Sequence, residues 1–166
     1  MGTYEEILET FKKKLKTVSV VEIADIPKID LYMDQVTTFM DQALTPYKRS
    51  SDGKVLTKTM INNYTKAKVL PPPVKKKYGR MHIMLLIMIF HLKTVLSIKD
   101  IATLFQPIFA LPTKEESEKQ TEKIYAGFIY LQKATLTYMQ ASAEGIIDDT
   151  LFQKEIMAEY DEEMKK

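Results

Sequence analysis

Apolar residues recur at helical spacing along most of this chain, and the interruptions between them mark out the elements. Thr3 followed by Glu6 has the form of a capping box, and Tyr4, Ile7, Leu8, Phe11 and Leu15 then predict an amphipathic helix from Tyr4 to Leu15. Thr17 to Ile29 is β-branched and broken by Pro27, so irregular or briefly extended chain is expected there. Asp30 serves as the N-cap of a second helix whose apolar face is Leu31, Val36, Phe39, Met40, Ala43 and Leu44. Thr45 to Lys54 is polar, carries Pro46 and Gly53, and reads as a loop.

The clearest local signature comes next. Thr57 is the natural N-cap of a third helix, with Leu56 placed to pack on Ile61 as a hydrophobic staple. Met60, Ile61, Tyr64 and Ala67 then face inward, while Lys58, Thr59, Asn62, Asn63 and Lys66 face outward. Pro71, Pro72 and Pro73 end the helix, because proline has no amide proton and disfavours helical backbone in its predecessor. Val74 to Gly79 is the right length for a small hairpin or wing. Arg80 to Thr94 is apolar on nearly every side and is expected as the central strut of the core. Ser97, with Asp100 three residues on, caps a further helix in which Ile98, Ile101, Ala102 and Phe105 are buried until Pro107 intervenes.

After the connection Pro107 to Pro112, a long helix starts at Thr113 or Ser117. Ile124, Phe128, Leu131, Thr135 and Tyr138 form one stripe on it, and Tyr125, Ile129, Leu136 and Met139 an adjacent one. Two adjoining stripes need partners on two sides. Gly145 breaks this helix, and Asp148 or Asp149 caps a last one with Leu151, Phe152, Ile156, Met157 and Tyr160. The pattern implies a mainly α fold in two parts: 1–111, an N-terminal helix plus a helix-turn-helix with a wing, and 112–166, a C-terminal helical region for dimerisation or signal reception.

Charge changes the picture because it is unevenly placed. Residues 1–52 carry seven basic and nine acidic side chains, residues 53–111 ten and one, and residues 112–166 seven and twelve, so nets of −2, +9 and −5 lie behind an overall +2. A basic centre calls for an anionic partner. Lys75, Lys76, Lys77 and Arg80 load the wing with charge, and Tyr78 gives it an aromatic tip.

Candidate chemistry narrows the function further. The chain has no cysteine, so it has neither disulfides nor thiolate sites. His82 and His91 are nine residues apart, which on a helix puts them about 180° apart, unable to share a metal ion. No nucleophile elbow, P-loop or glycine-rich dinucleotide turn is present, and Asp148–Asp149 reads as a helix cap, so neither enzymatic activity nor a cofactor is expected. Met81 to Leu92 is too short to span a bilayer and no secretory signal is visible, so a cytoplasmic location without membrane attachment is expected.

The segment Ile61-Asn-Asn-Tyr-Thr-Lys-Ala-Lys-Val-Leu-Pro-Pro72 resembles the recognition-helix region of MerR-type winged-helix regulators, with Tyr64, Leu70 and Pro71 on the family pattern. Lys77-Tyr78 is similar to that family's wing, and Leu96 to Ile101 to the start of its fourth helix. The departures are Asn62 in place of the usual arginine, Lys68 in place of glycine, Lys76 near the wing arginine, and a longer connection at Thr45 to Leu56. Ile29 to Phe39, Leu56 to Lys66 and Leu70 to Tyr78 also resemble, more specifically, a family of small proteins from low-GC Gram-positive bacteria known only as a domain of unknown function. The resemblance implies a DNA-binding transcriptional regulator with a MerR-like winged helix-turn-helix core, acting on double-stranded DNA as a homodimer joined by its C-terminal helices. In that reading Lys58, Lys66, Lys75, Lys76 and Lys77 meet phosphates, Thr59, Asn62 and Asn63 reach base edges, and Tyr78 and Arg80 anchor the wing or touch phosphate. The alternative is an adaptor that offers the same basic scaffold to an acidic protein. Tyrosines and methionines of the last two helices could also line a pocket for a small-molecule effector, although such stripes are the usual make-up of a core.

Overall fold

The computed structural model of the chain describes residues 4–48 and 53–145. It is mainly helical, as the apolar spacing predicts, with six α-helices and one two-stranded sheet among the described residues. In chain order these are α1 (Tyr4–Thr17), β1 (Leu31–Tyr32), α2 (Met33–Ala43), α3 (Lys58–Lys66), β2 (Lys77–Tyr78), α4 (Arg80–Leu92), α5 (Ile98–Phe109) and α6 (Lys114–Ala143). They divide into two compact units, Val21–Ile129 and a second unit drawn from the two ends of the chain. The expected boundary at 111–112 does not coincide with this division, because the first turns of α6 belong to the core of the larger unit.

That core is built round α4. Met81 to Ile89 are all buried, nine consecutive residues, so no side of the helix faces solvent there. Val36, Met40 and Leu44 of α2, Ile61 and Tyr64 of α3, Ile101, Phe105 and Ile108 of α5, and Tyr125 and Ile129 of α6 supply further buried side chains. Each fully buried aliphatic or aromatic side chain contributes about 1.5–3 kcal/mol of transfer free energy, so this shared interior is the main stabilising term.

Two interactions tie the irregular segment before β1 to the helices. The Arg80 guanidinium donates to the carbonyls of Ile23 and Ile26, at 2.8 and 2.9 Å, across more than fifty residues of sequence. The Tyr125 hydroxyl, wholly buried, donates to the Val21 carbonyl at 2.7 Å. Burial, together with the carboxylates of Glu22 and Asp25, raises the Tyr125 pKa well above its usual value, so the hydroxyl keeps the proton this bond needs.

The ends of several helices differ from the sequence reading. Leu31 lies in β1, not α2. The N-cap of α2 is Tyr32, whose amide donates to the Gln35 side chain at 2.8 Å, and Asp30 instead approaches Gly79. Sheet pairing of Leu31 with Tyr78 and of Tyr32 with Lys77 takes those residues out of the helix. Pro107 does not end α5 but lies inside it; the ring is exposed, so the carbonyl it leaves unbonded can be hydrated. Thr113 caps α6 through a reciprocal pair with Glu116.

On α6 the buried stripe is Ser117, Thr121, Tyr125 and Ile129, at a spacing of four, whereas Ile124, Leu131 and Thr135 are exposed. The two hydroxyls are buried because each has a backbone acceptor: Ser117 donates to Ile108 at 2.9 Å and Thr121 to Ser117 at 2.7 Å.

In the second unit, Leu15 is the buried member of the expected α1 stripe, and its carbonyl accepts from the Gln140 side chain at 3.1 Å. Ile7 and Phe11 are exposed. Thr3 and the expected last helix capped by Asp148 or Asp149 fall outside the described residues.

Two outcomes test this framework. Arg80→Ala leaves two carbonyls without their charged donor and should lower unfolding stability by about 2–3 kcal/mol, read from urea denaturation. The second concerns His91, which sits among the rings of Tyr47, Phe90 and Phe128, where burial pushes its pKa down to about 4. Below pH 6.5 the unfolded chain takes up the imidazole proton and the folded chain does not. Stability should therefore be full above pH 6.5 and fall as pH drops toward 4. Repeating the denaturation series with His91→Leu should show a shallower loss across that window.

Candidate nucleic-acid interface

Local sequence rules shape the third helix. The Thr57 hydroxyl accepts from the Met60 amide at 3.2 Å, and Leu56 and Ile61 are both buried, as a staple requires. Ile61 and Tyr64 anchor the helix, and Lys58, Thr59, Asn62, Asn63 and Lys66 are all exposed. Ala67, expected inside, is exposed, because the helix has already ended. Its last helical residue is Lys66, and Lys68 turns left-handed at φ 61°.

The stop is a Schellman motif rather than the prolines. The Val69 amide donates to the Tyr64 carbonyl and the Lys68 amide to Thr65, both at 3.1 Å. Lys68 occupies the position that usually holds glycine.

The basic segment after the prolines is a two-residue hairpin. Val74 and Lys77 exchange backbone hydrogen bonds at 3.0 and 2.9 Å, and Lys75 and Lys76 between them have φ of 50° and 64°. Left-handed backbone at both central positions is the type I′ geometry, which favours Asn-Gly. Lysine pays about 1 kcal/mol or more at each such position, so the turn is locally strained while it presents two exposed ammonium groups side by side.

The remaining predicted residues are placed differently. Lys77 is half-buried, its ammonium 5.0 Å above the Tyr32 ring, so its charge lies along the sheet. Tyr78 is buried at 3% exposure and meets His82 edge-on at 5.4 Å. Arg80 is committed to the carbonyls of Ile23 and Ile26. Lys58 pairs with Asp34 at the start of α2.

The sequence places Gly79 at the end of the wing but does not connect His82 to it, yet His82 and Gly79 together hold the hairpin. The His82 Nδ1 accepts from the Gly79 amide at 3.1 Å, and Nε2 lies 3.3 Å from the Pro72 carbonyl. A neutral ring with its proton on Nε2 satisfies both, joining the chain on either side of the hairpin, at Pro72 and Gly79. Burial lowers the His82 pKa and keeps this form. Gly79 lies close to Asp30: a Cβ there would be 3.0 Å from Asp30 Oδ1, so a larger residue would need the Asp30 side chain to shift slightly. The histidine gave no signal in the sequence because it lies within an otherwise apolar run.

The connection between α2 and α3 is pinned at both ends by one carboxylate. Asp41 accepts from Lys48 at 2.8 Å and from the Val55 amide at 3.1 Å, and these two bonds lower its pKa. The result is a unit with a cationic and amide-bearing surface on α3 and the hairpin. Among the described residues, no group of three or more His, Asp or Glu side chains is arranged to hold a metal ion. No helix among them is long and apolar enough to cross a membrane.

No curated protein and no solved structure matches the chain. A family model does match, over residues 21–128, nearly the span of the larger unit, Val21–Ile129. The chain therefore belongs to the family described as a domain of unknown function, DUF1836.

Proposed function

We propose that this protein is a cytoplasmic, dimeric transcriptional regulator that binds double-stranded DNA through a MerR-like winged helix-turn-helix. The observation that carries this reading is the pairing of two features within one unit. A helix anchored by Ile61 and Tyr64 exposes Lys58, Thr59, Asn62, Asn63 and Lys66, and a strained turn a few residues later exposes Lys75 and Lys76. Strain held at a charged turn tip, where Asn-Gly would be more stable, is what selection for binding rather than for stability would leave.

In this reading α3 enters the major groove, where Asn62 and Asn63 can each form a bidentate pair with adenine. Lys66, Lys75 and Lys76 contact phosphates, and Lys58 does so after exchanging Asp34 for DNA. Lys77, Tyr78 and Arg80 hold the wing in place. Pairing of two protomers through the C-terminal helices doubles the site read.

Fluorescence anisotropy on duplex DNA over a salt series tests the reading. Four phosphate contacts per protomer predict a slope of log K against log salt of about −3.5. A flat response, with an acidic protein or polyglutamate bound instead, would favour the adaptor reading. The double variant Lys75→Asn/Lys76→Gly separates strain from charge. It should raise unfolding stability by about 1 kcal/mol or more and reduce the salt slope by about 2. Asn62→Ala should relax discrimination between operators and leave the slope unchanged.

A further inference from the structure

We propose that the cavity between the α2–α3 connection and the end of α4 is a binding site for a small organic anion that carries a planar ring. This cavity, of about 630 Å³, has the aromatic residues Tyr47, Phe90 and His91 and the cations Lys48, Lys54 and Lys93 in its lining. Its size falls within the range of sites that enclose small ligands, which combine apolar walls with a few placed polar groups.

The cations are unequally available. Lys48 is paired with Asp41, and Lys54 acts on the same carboxylate only at longer range, whereas among the described residues Lys93 forms no ion pair. Lys93 is half-buried with its ammonium 5.3 Å above the Phe90 ring. That burial lowers its pKa, and among the described residues no carboxylate pairs with it to offset the cost. An anion entering the cavity would supply the missing partner, and a planar body would stack against rings already held edge-on to one another by Tyr47 and His91 at 4.6 Å. Ring and charge are both needed, because a bare anion engages only the ammonium groups and a neutral ring only the aromatic ones.

The site is separate from the proposed DNA surface, since none of its lining residues belongs to α3 or the hairpin. It does adjoin the segment that leads into α3, where Val55 and Leu56 are buried ahead of the Thr57 cap.

Isothermal titration calorimetry of the full chain tests the proposal, with adenosine 5′-monophosphate and salicylate as ring-bearing anions. Adenosine, salicyl alcohol and inorganic phosphate are the controls that lack charge or ring. At least one ring-bearing anion should bind with Kd below about 1 mM, about tenfold or more tighter than its controls. Lys93→Met should weaken that binding about tenfold or more while leaving the thermal midpoint of the free protein unchanged or raised. Lys54→Met provides the same test should Lys93→Met fail to fold. Lys75→Asn/Lys76→Gly should leave the affinity unchanged, whether or not the chain binds DNA. The proposal is overturned by binding of neither anion, by equal binding of charged and neutral rings, by wild-type affinity in the lysine variants, or by loss of affinity in the hairpin variant.

Discussion

A helix with nine consecutive buried residues has no face to offer to water, so every neighbouring element must serve to enclose it. Helix α4 imposes that condition on the larger unit. The buried positions of α2, α3, α5 and α6 are the inner faces of a shell around it, and their outer faces are what remains for interaction. The side chains exposed on α3 follow from this. Once Ile61 and Tyr64 are committed to the interior, a helical period of 3.6 residues leaves Lys58, Thr59, Asn62, Asn63 and Lys66 outside.

The polar groups drawn into that interior also hold the exposed hairpin. His82, on the strut itself, bonds to backbone on both sides of the hairpin, and Arg80, two residues earlier, holds the chain that leads to β1. The hairpin tip can therefore carry two lysines in left-handed backbone, because its base is fixed from below. Strain at Lys75 and Lys76 and rigidity at Pro72 and Gly79 are parts of one arrangement.

Much of the helical framework was legible in the sequence. Thr57, Ser97 and Thr113 mark helix starts with cap geometry that depends only on residues three positions apart, and each forms its cap. The outward set on α3 was equally legible, since a short amphipathic helix has one way to divide its residues. What was missed depended on distant partners. Ser117 read as an alternative helix start and Thr121 carried no signal; each is buried because a carbonyl lies within reach of its hydroxyl. Pro107 looked like a terminator, yet an exposed helix face tolerates it. Arg80 read as an anchor of the wing or a phosphate contact, because nothing in its own neighbourhood reveals the carbonyls of Ile23 and Ile26, more than fifty residues away.

The division between what sequence determined and what tertiary structure decided follows the range of the interactions. Apolar periodicity and capping act within one or two turns, so the chain by itself determined most of its helix starts, the two faces of α3 and the basic character of residues 53–111, whereas the buried stripe of α6 depended on its packing partners. Which cations remain available was settled only by folding. Lys77 lies over Tyr32, Arg80 is bound to backbone and Lys58 pairs with Asp34, whereas Lys75 and Lys76 project from a strained turn. The same is true of Lys93, whose position over Phe90 beside a ring-lined cavity joins residues from α4 to a connection some forty residues earlier. Charge can be counted along a chain, but its availability depends on which acceptors the fold brings within a few ångströms, and only the three-dimensional packing specifies those.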